Sequence, residues 1–154
     1  MVFGHVGREL GPVGALALGH CEWVDSGIMD TGLESFDRHF AVNARAGWLL
    51  IREYARQFPG PRGLSRIVAL TSDHTAGNLP YDAPKGALDR IVIAAARELS
   101  GLGITANCVN PGPTDNGWMC ERLKWAGDAQ RRRPGQLTVT AAGAVRGGLA
   151  RIGC

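Results

Sequence analysis

The stretch "TSDHTAGNLPYDAPKGALDRI", residues 71 to 91, sets Tyr81 four residues ahead of Lys85. On a helix that covers both positions the two side chains emerge on one face. A nearby ammonium stabilises a phenolate and lowers a tyrosine pKa from about 10 toward working pH, which is what a general acid/base requires. Of the 17 Lys+Arg residues in the chain only two, Lys85 and Lys124, are lysines. A lysine at this position is therefore not what composition alone supplies, and its compact charge suits a relay better than a guanidinium does. Taken alone, the two residues also fit an exposed helix pair worth roughly a few tenths of a kcal/mol. Ser72 closes the apolar run "RIVALTS", so its hydroxyl can project over the carboxyl edge of a parallel sheet, where ligands of open α/β folds sit; it also fits an ordinary turn former. Asn43 lies on a helical stripe with Phe36, Phe40 and Gly47. A polar amide on an apolar stripe must find hydrogen-bond partners or cost stability, so Asn43 is a site candidate, a structural amide or a helix kink.

These residues need elements to hold them. "VGALALGH", residues 13 to 20, reads as a short strand bounded by glycines, preceded by the end of a helix in "GHVGREL". From Leu33 to Phe58 the positions Phe36, Phe40, Asn43, Gly47, Leu50, Tyr54 and Phe58 recur every three or four residues, and Pro59 and Gly60 stop the helix. "RIVALTS", residues 66 to 72, is a buried-strand pattern. Leu88, Ile91, Val92, Ala95 and Leu99 mark the apolar face of a second helix that ends near Gly101 and Gly103, and "ITANCV", residues 104 to 109, is a third strand. Strands alternating with helices at these lengths predict an α/β fold with a parallel sheet, because parallel connections need a crossover. Beyond Trp118 the pattern weakens: "WMCERLKWAGDAQ" fits one helix and "QLTVTA" one strand.

Four stretches in order resemble the short-chain dehydrogenase/reductase family, a Rossmann-type group of NAD(P)-dependent oxidoreductases. They are "FAVNARAGWLL", "RIVALTS", "YDAPKGAL" with its Y-x-x-x-K spacing, and "ITANCVNPGPTDNG", together covering about residues 13 to 119. The resemblance implies interconversion of a carbonyl and an alcohol with NAD or NADP, on a small substrate similar to those of 3-oxoacyl-carrier-protein reductases. It implies that Tyr81 exchanges the proton with the substrate oxygen, that Lys85 lowers its pKa and contacts the cofactor ribose, that Ser72 bonds the substrate carbonyl and that Asn43 holds a relay water. Pro111 and Gly112 would border the nicotinamide, with Asn116 where a threonine often contacts its amide. It also implies a homo-oligomer built through the helices at 33–58 and 80–100.

The departures are as informative. The family's glycine-rich T-G-x-x-x-G-x-G loop is absent: Gly4, Gly7, Gly11 and Gly14 lack its spacing and follow no strand. Its N-N-A-G falls near "LGHCEW", where only Gly19 is comparable. Ser72 and Tyr81 are nine residues apart, where the family often has about thirteen. Pro84 stands before the lysine and is tolerated only in a first helical turn. The expected architecture is thus a partial Rossmann-like parallel sheet flanked by helices, without the N-terminal dinucleotide-binding half. Binding of NAD(P) by this chain is then in doubt, and the alternative reading is a non-catalytic fragment or an oligomerisation or interaction module.

At 154 residues, 45% hydrophobic and 20% charged, the chain suits one soluble globular domain. Its +3 formal charge is uneven. Residues 1–119, the partial dehydrogenase/reductase domain, hold 10 basic and 12 acidic residues, whereas the atypical tail at 120–154 holds 7 and 2. Cys21, Cys108, Cys120 and Cys154 show no C-x-x-C spacing, which predicts a reducing, cytoplasmic setting. No apolar run reaches the roughly 18 residues of a membrane span. "HCE" at residues 20 to 22 juxtaposes three potential ligands that diverge on a strand, so no metal is expected. "RRR" at 131 to 133 lacks aromatic interleaving, so no nucleic acid is expected. His39 reads as a helix-surface residue and His74 as a loop residue.

Overall fold

The computed structural model describes residues 2–58, 65–73 and 77–111, and the backbone of two further strands at 138–142 and 151–152. Three parallel strands form its centre: β1 (Ala15–Leu18), β2 (Ser65–Leu70) and β3 (Ile104–Asn110). Leu18 stands opposite Ala69, and Ala69 opposite Cys108, which fixes the register. Two antiparallel strands, β4 (Thr138–Ala142) and β5 (Arg151–Ile152), extend the sheet in the order β1-β2-β3-β4-β5. β4 overlaps the strand expected in "QLTVTA". The run proposed as a helix, "WMCERLKWAGDAQ", lies outside the described residues.

The β1 to β2 connection carries one long helix in three parts: α2 (Leu33–Phe40), a π-helical segment (Ala41–Arg45) and α3 (Ala46–Gln57). Helical backbone angles run unbroken through Ala41, at φ −61° and ψ −44°, and Ala46, at φ −63° and ψ −40°. The interruption is therefore a widened turn inside a continuous helix, and Asn43 sits at its middle. A π-bulge of this kind re-aims side chains and recurs at functional sites. The β2 to β3 connection carries α4 (Leu79–Glu98), ended by a 3₁₀ turn (Ser100–Leu102) and by Gly103 in the left-handed region at φ 75°. α1 (Val2–Glu9) lies ahead of β1, and its Phe3 packs on Tyr54.

Among the described residues the core lies on one side of the sheet. Leu18, Ile67, Ala69, Ile104, Ala106 and Cys108 alternate along the strands toward α3 and α4, where Ile51, Tyr54, Leu88, Val92 and Ala95 close over them. Gly47 allows this approach, because a Cβ there would stand 2.8 Å from Leu88 Cδ1. Tyr54 joins three elements, donating to Gly14 O at 2.8 Å and bonding Ser65 Oγ at 2.5 Å. The opposite face of β2 leaves Arg66 and Leu70 exposed. Parallel strands are ordinarily covered on both faces.

Two expectations need correction. Pro84 is not in the first turn: α4 begins at Leu79, so Pro84 is its sixth residue and lies fully buried within the helix. At the helix start Asn78 accepts the Asp82 N–H through its carbonyl at 3.0 Å, while the Leu79 N–H is held by Ser26 O at 2.9 Å. His39 is no surface residue. It is fully buried, with Nδ1 bonded to Ser35 O at 2.6 Å, because α2 packs against α4. His74 lies outside the described residues.

Candidate active site at the carboxyl end of the sheet

The strand ends at Leu18, Leu70 and Asn110 share one edge of the parallel sheet, and the start of α4 rises beside it. Lys85 is 2% exposed and donates to Leu70 O at 2.8 Å. That carbonyl is free for a side chain because β2 ends there; beyond it the Thr71 N–H continues to Val109 O. Tyr81, one turn earlier on α4, is half-buried, and the Lys85 Nζ lies 5.5 Å from its ring centroid. Trp23, from the loop after β1, meets the Tyr81 ring edge to face with centroids 4.6 Å apart. An indole here fixes the ring plane.

Asn43 is placed by the π-helical segment and is 1% exposed. Its Oδ1 accepts the Glu22 N–H at 2.7 Å and its Nδ2 donates to Glu22 O at 3.0 Å. The amide clamps the backbone one residue from Trp23. Asn78 does similar work from the residue that precedes α4, donating to Asp25 Oδ1 at 3.0 Å. Loop 19–32 is thus held at two points against the helices, with Trp23 over the tyrosine between them. Ser72 lies two residues past β2, half-buried, at the same end of the sheet. Pro111 follows β3 directly and is half-buried. Gly112 and Asn116 lie outside the described residues.

The electrostatics depart from expectation at Tyr81. Its pKa is pushed up to about 12, by burial first and then by Cys21 and Asp82, rather than drawn down by Lys85. The cause is geometric: the ammonium is turned to the Leu70 carbonyl and sits over the ring. Lys85 is itself lowered by burial, against upward pulls from Cys21, Asp89 and Cys108. Burial and the Asp89 carboxylate push the Cys108 thiol up to about 12. Trp23, Asn78, Asp89 and Cys108 had no motif to mark them, and only the apolar alternation of "ITANCV" pointed to the burial of Cys108.

The "HCE" residues go separate ways. His20 Nε2 bonds Val42 O at 3.1 Å, Cys21 is exposed, and Glu22 pairs with Arg38 at 2.7 Å. Among the described residues no group of three or more His, Cys, Asp or Glu could hold a metal ion, and no helix is long and apolar enough to cross a membrane. For a dinucleotide the fit is partial. Lys85, Tyr81 and Pro111 border one sheet end, but no glycine-rich turn joins a strand directly to a helix there: Gly4 and Gly7 lie within α1, and β1 leads into loop 19–32. The described residues therefore do not form a pyrophosphate cradle.

Comparison with known proteins gives this site a context. Residues 4–136 match the family model described as enoyl-(acyl carrier protein) reductase. An uncharacterized oxidoreductase of Bacillus subtilis (strain 168), YjdA, is 44% identical over 96 residues, 59% of this chain and 38% of that protein. A chloroplastic NADPH-dependent aldehyde reductase-like protein of Arabidopsis thaliana is 43% identical over 90 residues, 56% of this chain and 33% of its own length. The chain thus spans well under half the length of these curated relatives. The crystal structure of the angucycline C-6 ketoreductase LanV with bound NADP superposes with a TM-score of 0.71 at 25% identity, covering 84% of this chain and 52% of that one. With the family model, the relatives and the Rossmann-like sheet in agreement, the chain belongs to the short-chain dehydrogenase/reductase family.

Proposed function

We propose that this chain carries the proton-transfer half of an oxidoreductase site that interconverts a carbonyl and an alcohol. The observation that carries the reading is the seat of Lys85 on Leu70 O, one helical turn from Tyr81 at the carboxyl end of the sheet. In the reducing direction the Tyr81 hydroxyl donates its proton to the substrate oxygen, Ser72 holds that oxygen, and Asn43 with Trp23 fixes the loop that walls the site. NAD or NADP supplies the hydride in such a reaction. Residues 1–119 form the partial catalytic domain of this reading, residues 120–154 a separate basic segment, and the setting is reducing and cytoplasmic. Because the described residues lack a phosphate cradle, turnover belongs to a form of the protein that has one. The test is a fusion of a family dinucleotide-binding half to this chain: carbonyl reduction in the fusion, lost on Tyr81→Phe, supports the reading, and reduction that survives the substitution overturns it.

The second reading is an interaction module. A groove of about 830 Å³ runs along α2, the π-helical segment, α3 and α4, lined by Phe40, Ala44, Trp48 and Ile91 and flanked by Arg38 and Arg45. Trp48 is 44% exposed there. A second copy of this chain is the proposed occupant, since the same groove presents Asp37 beside the arginines and so offers both charges to itself. Sedimentation of the purified chain before and after Trp48→Glu tests it: a shift toward monomer supports pairing, and an unchanged profile excludes this face.

A further inference from the structure

Lys85 is a buried ammonium that no salt bridge neutralises. Among the described residues no carboxylate stands within 4.0 Å of it, and its hydrogen bond is to the neutral Leu70 carbonyl. An isolated buried charge is costly enough that the group ordinarily loses its proton, so something must oppose neutralisation if the ammonium is to persist. One turn further along α4, at i+4 from Lys85, stands Asp89. Its Oδ1 is buried and takes no hydrogen bond among the described residues. Across from it on β3, Cys108 is 2% exposed, and the Asp89 carboxylate raises its pKa. Tyr81, Lys85 and Asp89 therefore follow one another at i, i+4 and i+8 along the helix.

We propose that Asp89 is a positioning residue for the Tyr81 and Lys85 pair, its carboxylate keeping the Lys85 ammonium charged and seated on Leu70 O from one helical turn away. The ionisable groups that face Lys85 are Tyr81 and Asp89 on α4, Cys108 on β3 and Cys21 in loop 19–32. Burial lowers the lysine, while Cys21, Asp89 and Cys108 raise it. Cys108 is itself pushed up to about 12 and so stays a neutral thiol near pH 7. Cys21 is exposed on a loop, whereas Asp89 sits on the same helix as the lysine and moves with it.

The functional consequence rests on the proton-transfer reading, but the test does not. The chain has two lysines, so ¹³Cε labelling gives two signals, assigned by Lys124→Arg. In a Cys21→Ser background, which removes the loop cysteine, Asp89→Asn is expected to lower the Lys85 titration midpoint, with Lys124 unmoved. Asp89→Glu, which retains the charge, is expected to restore it, an outcome that a purely structural role for Asp89 would not produce. An unchanged Lys85 midpoint in a folded Asp89→Asn chain overturns the proposal, as does equal titration of the Asn and Glu variants. If Asp89→Asn does not fold, the parent chain decides: the Lys85 signal should register a carboxylate step at acid pH, and a flat acid limb overturns the proposal. Turnover is not measured, so failure of the proton-transfer reading and failure of this one give different results.

Discussion

At the scale of single residues, burial at the site holds two weak acids neutral well into alkaline pH. Tyr81 and Cys108 both have folded pKa values of about 12, raised from 10.0 and 9.0. A raised folded pKa contributes stability that is whole below the unfolded value and is lost as pH climbs through the folded one. Lys85 has the opposite sign: lowered below 10.5, it lets the folded state gain as pH approaches that value. The two raised groups outnumber it, so thermal melts are expected to be flat up to about pH 9 and to fall from there toward about pH 12. Cys108→Ala should soften the start of that fall and Tyr81→Phe its later part; melts that fall equally in all three chains would contradict the assignment. A second residue carries a neutral version of the same lesson. Tyr54 is 1% exposed and serves both Gly14 O and Ser65 Oγ, so Tyr54→Phe should cost about 1–3 kcal/mol in urea unfolding through the polar groups left behind. Of these residues, the Tyr81 to Lys85 spacing and the awkward amide of Asn43 were legible in the sequence. The pKa direction of Tyr81 was not, because spacing on a helix says where a lysine starts and not which carbonyl its ammonium reaches.

At the scale of elements, the sequence marked where helices and strands lie better than how helices are interrupted. The stripe from Phe36 to Phe58 predicted one helix, and one helix is present, but the widened turn at Ala41–Arg45 left no signal beyond Asn43 itself. Pro84 misled in the other direction. The helix expected at 80–100 starts at Leu79, so the first-turn place in which Pro84 would be tolerated is not the one it occupies, and the backbone of loop 19–32 supplies a partner at the helix start that local sequence does not show. Two glycines separate local from tertiary demands. Gly86 is exposed in α4 and a Cβ there would meet nothing within 4 Å. Gly86→Ala should therefore stabilise by about 0.5–1 kcal/mol, the ordinary gain of alanine over glycine in a helix. Gly47 has the same propensity to gain, yet its Cβ would press on a methyl of Leu88, which is itself 2% exposed and has little room to yield. Overpacking costs about 1–3 kcal/mol, so Gly47→Ala should be neutral to destabilising. Chemical denaturation of the two variants checks the pair, and a Gly47→Ala chain stabilised as much as Gly86→Ala would mean that Leu88 yields and the contact between α3 and α4 is not tight at Gly47.

At the scale of the whole molecule, the decisive feature is a parallel sheet with helices α3 and α4 on one face and β1 at an edge that no described residue pairs. The order of elements made this much readable, since each parallel connection had to carry a helix. The antiparallel run of β4 was not readable, because a short strand shows its partner and direction only after the chain has turned back. β1 has no partner on its outer side among the described residues, and its Ala15 and Ala17 are exposed with no charge to discourage pairing. Leu70, on the face of β2 away from α3 and α4, is 42% exposed. Unpaired backbone groups and apolar surface of this kind favour association, so the purified 154-residue chain is expected to self-associate at raised concentration. The same geometry bears on cofactor. A dinucleotide needs backbone N–H groups converging at a helix N-terminus, and the described residues offer no glycine-rich strand-to-helix turn to supply them. Calorimetric titration of the chain with NADH and NADPH is therefore expected to give no saturable heat, while a fusion that pairs a dinucleotide-binding half against β1 should bind and should lose the tendency to self-associate. The two gains must come together if the open edge and the missing cradle are one deficit. Micromolar binding by the unmodified chain would place a phosphate site in "GHVGRELGPVG" or "LGHCEW" and refute the argument; binding restored without any change in association would refute its claim about β1 alone.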